Sequence, residues 1–138
     1  MQALDDIIQS IKEGLFTDDD KRFIRDHADE VRETFPEGII PVLRSIYSVA
    51  LPIGGINRLR DEARALQLSL SLFQERLRLL DSDLLTPSNF MNEREYITLS
   101  MAETRTVLEE KERAIQSYED HEARLRAIKH IQDYLKSL

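Results

Sequence analysis

Residues 56–84 read INRLRDEARALQLSLSLFQERLRLLDSDL. Leu59, Ala63, Leu66, Leu70, Phe73, Leu77, Leu80 and Leu84 advance through this stretch by alternate steps of four and three, which is the seam of an α-helix that pairs with another along its length. Leu66, Leu68, Leu70 and Leu72 also alternate as a strand would. The absence of β-branched residues after Ile56 and the length of the flanking heptads select helix instead. Ala65, Leu68, Leu72 and Leu79 form a second stripe roughly opposite the first, which predicts a central helix covered on two sides.

Outward from this helix, the punctuation divides the chain. All four Gly (14, 38, 54, 55) and all four Pro (36, 41, 52, 87) lie between positions 14 and 87. Before Gly14, a plausible C-cap, Leu4, Ile7, Ile8 and Ile11 share one face of a short amphipathic helix. Thr17 then offers an N-cap, with Asp18, Asp19 and Asp20 in the first turn and Asp20 imitating the acid of a capping box. Phe23, Ile24, Ala28, Val31 and Phe35 follow at helical spacing, and Pro36 ends this second helix. A third short helix is predicted from about Pro41 to Leu51, closed by Pro52.

Beyond the turn signal Thr86-Pro87-Ser88-Asn89 no Gly or Pro occurs, and Ile97, Met101, Thr104, Leu108, Ile115 and Tyr118 form a second seam interrupted by Lys111. After Tyr118 the phase slips by a three-residue step to His121, Leu125, Ile128 and Leu135, the mark of local overwinding or of a break. Unbroken from about Asn92, this last helix spans roughly 70 Å against about 45 Å for the one before it. It therefore either folds back near residues 118–121 or finds cover elsewhere, and a second copy of the chain is the expected source.

The fold expected is all-α: a single helical domain over 1–138, with three short N-terminal helices as a cap (1–55) and a long antiparallel helical hairpin (56–138).

Composition narrows function mainly by exclusion. With no cysteine, disulfide scaffolds, thiolate zinc sites, iron–sulfur ligation and thiol nucleophiles are ruled out. The net charge of −7 is the wrong sign for gripping a phosphate backbone, so nucleic acid is not an expected partner. Residues 1–11 carry Asp5 and Asp6 and lack a signal-peptide pattern, so a cytoplasmic location is expected.

The chemistry-bearing residues admit plain readings. None of His27, His121 and His130 has a carboxylate three residues before it, which removes the di-iron helix motif. His27 sits at the edge of an apolar face, and His121 with Glu119, Asp120 and Glu122 reads as a solvated face. Asp18 to Asp20 resemble the opening of a calcium loop, but Phe23 stands where that loop needs Gly. The arginines 58, 60, 64, 76 and 78 have acids within helical reach. No catalytic residue, cofactor or metal site is assigned.

The expected function is a non-enzymatic interaction or scaffold protein that acts by coiled-coil-like self-association, as a homodimer, or by docking a partner's helix. Its interaction seam is expected on Leu66, Leu70, Phe73, Leu77 and Leu80 and on Leu108 and Ile115. The alternative is a membrane-associating module built on residues 39–56, IIPVLRSIYSVALPIGGI. Pro41, Pro52 and Arg44 make that segment a poor span and favour a core helix.

Overall fold

The computed structural model describes residues 2–81 and 90–138, so Leu84 and the 86–89 turn signal lie outside the described residues. Among them the chain forms α1 (Gln2–Lys12), α2 (Asp18–Asp26), α3 (Ala28–Thr34), α4 (Ile39–Val49), α5 (Gly55–Asp81) and α6 (Phe90–Lys136), with no strand. The all-α reading holds. The fold divides into two compact units, one of residues Met1–Leu51 with Tyr118–Leu138 and one of Pro52–Ser117. The sequence-level division at 55/56 keeps residues 118–138 with the hairpin, whereas the compact units group them with the short helices.

In the first unit the helix ends follow local chemistry. Gly14 takes φ +84°, and Leu15 N–H donates to Ser10 O while Gly14 N–H donates to Ile11 O, closing α1 with the left-handed residue that glycine adopts without penalty. The capping box forms at α2: Asp20 N–H donates to Thr17 Oγ1 (3.1 Å) and Thr17 N–H donates to Asp20 Oδ2 (3.2 Å).

The single second helix expected up to Phe35 is instead two, broken at His27. There the backbone leaves the helical region (φ −119°, ψ 29°), and the ring Nδ1 lies 3.0 Å from Phe23 O, to which it donates. Phe23 O thus accepts from both the ring and the backbone N–H of His27 (3.0 Å each), and a side chain drawn into the i→i−4 ladder is a recognised cause of a bend. No Gly or Pro announces it.

Of the two alternatives for the last helix the structure has the unbroken one: α6 runs through residues 118–121. Leu125, Ile128, Ile131 and Leu135 on its last stretch are buried with Leu4, Ile7 and Ile8 of α1, Ile24 of α2 and Val31 of α3. Ile39, Ile40 and Leu43 of α4 pack against the same cluster. The chain's own short helices thus supply the cover that the sequence reading sought in a second copy, and the length of α6 no longer calls for a dimer. The phase slip after Tyr118 has the same cause: this stretch meets α1–α4, so its apolar stripe follows their direction.

Polar contacts fix the arrangement at the edges of this core. Arg44 Nε and Nη2 donate to the two carboxylate oxygens of Glu122 (3.2 Å each), and Gln132 Nε2 donates to the carbonyls of Phe35 (3.3 Å) and Pro36 (3.0 Å). The bond to Phe35 O satisfies a carbonyl beyond the end of α3, and Pro36 O accepts from Ile39 N–H (3.1 Å) as well.

The second unit is a helical hairpin. Leu80, Ile97 and Met101 are buried together, with Leu70, Phe73 and Leu77 packed against them. Asp81 pairs with Arg94, Arg76 with Glu93, Gln67 with Glu112 and Glu62 with Lys111. Positions fall along α5 as their partners rise along α6, so the two helices are antiparallel over this unit.

Candidate protein-interaction surface

The residues expected to form an interaction seam turn inward on the hairpin. Leu80 and Leu108 are buried, and Leu66, Leu70, Phe73, Leu77 and Ile115 are half-buried. Leu70, Phe73, Leu77 and Leu80 meet Ile97 and Met101 of the same chain. The register places Leu66 level with Leu108 and Leu59 level with Ile115. This is the arrangement of a self-contained hairpin, in which the seam holds the unit together.

The second stripe departs from expectation. Leu68 and Leu72, each two residues from Leu70 and so roughly 160° round the helix from it, are 61% and 63% exposed. They were expected to be covered. On α6, Tyr96, Leu99 and Val107 are exposed as well.

Leu72, Tyr96 and Val107 share one side of the hairpin, with Leu68 and Leu99 at its outer margins. Turning about each helix away from the seam, Leu72 is reached in the same rotational sense on α5 as Tyr96 and Val107 are on α6, whereas Leu68 and Leu99 lie nearly opposite the seam of their own helices. In an antiparallel pair, equal senses of turn emerge on the same side. The cross-hairpin contacts mark the two sides independently: Arg76 Nε donates to Glu93 Oε1 (2.6 Å) on the apolar side, and Gln67 Nε2 donates to Glu112 Oε1 (3.5 Å) on the other. The opposite side carries Arg64, Gln67, Ser71, Gln74 and Arg78 from α5 and Thr98, Arg105, Glu109 and Glu112 from α6.

Between residues 65 and 79 of α5 and 96 and 110 of α6, the charged groups on the apolar side are Glu75, Arg76, Glu103 and Glu110. Arg76 is tied to Glu93. Glu75 accepts from Arg78 (2.6 and 3.1 Å), which holds its carboxyl below the usual range. The border of the apolar side is therefore acidic. Sequence reasoning finds Leu72 but not its alignment with Tyr96 and Val107, which requires the pairing partner and its direction.

The first unit has other surfaces. Val42, Ile46 and Val49 lie exposed on α4, which has no buried residue and packs Ile39, Ile40 and Leu43 against the core cluster. An open recess of about 490 Å³ is lined by Phe35, Pro36, Leu135 and Leu138 with Arg32, Glu37, Gln132 and Lys136. In it Lys136 pairs with Glu37, and Arg32 with Asp29.

Each histidine meets an aromatic ring. His27 stacks on Phe23 (4.2 Å between centroids), His121 stacks on Tyr47 (4.3 Å) and His130 meets Phe16 edge-on (5.0 Å). Nε2 of His121 is buried with no hydrogen-bond partner. The acids beside His121 in sequence do not close round it: among the described residues no three His, Asp or Glu side chains converge as a metal site would require. Among the same residues no helix is long and apolar enough to cross a membrane.

Fold and surface together define an all-α protein with an antiparallel helical hairpin that exposes one apolar, acid-bordered side. The sequence matches no protein-family model, and no curated protein or solved structure shows significant similarity to it.

Proposed function

We propose that the protein is a non-enzymatic helical interaction module whose hairpin docks a helix of another protein on its exposed side. The observation that carries this reading is the exposure of Leu72, Tyr96 and Val107 on one side of α5 and α6, with Leu68 and Leu99 at its outer margins and a seam already satisfied on the inner faces. Contiguous exposed apolar surface bordered by polar groups is characteristic of association sites, since each buried methylene is worth about 0.8 kcal/mol. Self-association through the same side is the competing form of this reading.

A photo-crosslinking amino acid placed at Leu72 in the native cell tests it, with Ser71 on the opposite side as control. A discrete adduct from position 72 and none from 71 is expected. An adduct with the mass of two chains assigns the side to a homodimer, and no adduct from 72 removes the docking reading.

A second reading has its own observation. The exposed Val42, Ile46 and Val49 of α4 favour a module that lies on a membrane surface through residues of the 39–56 segment. Flotation with liposomes decides it: wild-type protein that co-floats and a Val42→Gln/Ile46→Gln variant that does not would support this reading, and wild-type protein that stays at the bottom of the gradient excludes it.

A further inference from the structure

Resting on the docking reading of the hairpin, we infer that the occupant of its exposed side is a basic amphipathic helix. The apolar strip of Leu72 on α5 and Tyr96 and Val107 on α6, with Leu68 and Leu99 at its outer margins, runs for roughly three helical turns, enough for one docked helix at 5.4 Å per turn. Its charged neighbours select the partner. Glu103 stands exposed in the middle of the α6 strip and Glu110 one turn beyond Val107, while Arg76, the cation on this side of the stretch, is held by Glu93.

A helix with an apolar stripe flanked by Lys or Arg places its cations against these carboxylates as it buries its stripe. A second copy approaching through this side sets Glu103 and Glu110 near their own kind, on a chain whose net charge is already −7. An anionic lipid surface meets the same repulsion.

The probes are three labelled synthetic peptides of about five helical turns with the same leucine stripe and a lysine, glutamine or glutamate polar face. Fluorescence anisotropy is read at physiological salt against the full-length chain, with light scattering after size exclusion on the same samples. The lysine peptide is expected to bind saturably and at least about tenfold tighter than the glutamine peptide, and the glutamate peptide not to bind. Leu68→Gln/Leu72→Gln weakens the lysine peptide about tenfold or more, Glu103→Lys narrows the lysine-over-glutamine preference, and Val42→Gln/Ile46→Gln changes neither. The circular dichroism of each variant matches the parent, because these side chains are exposed.

Equal binding of the lysine and glutamine peptides, sensitive to Leu68→Gln/Leu72→Gln, overturns the basic partner and leaves the docking face standing. Lysine-peptide binding that ignores Leu68→Gln/Leu72→Gln is diffuse attraction to an acidic chain and overturns the inference. Absence of binding by all three removes both readings. A dimer that Leu68→Gln/Leu72→Gln converts to monomer gives the side to a second copy and overturns the inference too.

Discussion

Lys111 reaches across the hairpin from a seam position of α6 and donates to Glu62 of α5 over 2.6 Å, while Arg58 donates to the other oxygen of the same carboxylate over 2.9 Å. A lysine that interrupts an otherwise apolar seam thus has its partner within the unit. The contact costs desolvation but specifies register, because a slip of either helix by one turn would leave Lys111 among apolar side chains.

Reversing the charge at this point sets two carboxylates against each other. Lys111→Glu is expected to lower the melting temperature by several degrees, and Lys111→Met to leave it close to the parent because the seam accepts an apolar side chain there. Thermal denaturation of the two variants checks this. Equal melts would mean that the Lys111–Glu62 contact has no part in holding the hairpin.

The same contact predicts an acid response. Hydrogen bonds from Lys111 and then Arg58 hold the Glu62 carboxyl below its ordinary value of 4.5. A folded-state value lower than the unfolded one means that the contribution is complete above the unfolded value and is lost as pH falls through the folded one. Urea midpoints are therefore expected to drop between about pH 5 and pH 3 by more for the parent than for Glu62→Gln. Identical pH profiles would contradict a stabilising role for Glu62.

Packing at the seam gives a sharper contrast. Phe73 rests against the cluster of Leu80, Ile97 and Met101, whereas Ser71 is exposed and its Oγ donates to Gln67 O (3.2 Å). Phe73→Asp forces an unpaired charge against that cluster and is expected to cost about 3 kcal/mol or more. Ser71→Asp should stay within about 0.5 kcal/mol of the parent. Chemical denaturation with both variants measures the difference, and similar midpoints would show that the seam does not carry the unit's stability.

These relationships show how far sequence reading reached. The eight-position stripe from Leu59 to Leu84 and the seam from Ile97 to Tyr118 define two helices that need each other, and Leu70, Phe73 and Leu77 meet Ile97 and Met101 as that pattern requires. Periodicity names a helix's apolar face but not what covers it. Leu125, Ile128 and Leu135 are legible as a stripe, yet their burial in one cluster with Leu4, Ile8 and Ile24 joins residues over a hundred positions apart, and no local spacing encodes such a pairing. The exposed side was missed for the complementary reason. Leu68 and Leu72 are legible as apolar, but apolarity alone does not say whether a residue is covered.

The continuity of α6 supplies the last prediction. The phase slip between Tyr118 and His121 suits either a turn or an unbroken helix whose cover changes, and the structure runs helix through it. Proline discriminates, because within a helix it removes one backbone hydrogen bond and clashes with the carbonyl four residues earlier, at a cost of about 3 kcal/mol or more, whereas a turn accepts it. Glu119→Pro is therefore expected to lower both helical ellipticity and melting temperature, and Glu119→Ala, which keeps the backbone donor, to preserve the ellipticity. The alanine variant separates the backbone effect from loss of the carboxylate. Circular dichroism spectra and melts of the pair read the outcome directly, and a Glu119→Pro protein as helical and as stable as Glu119→Ala would place a turn where the structure has α6.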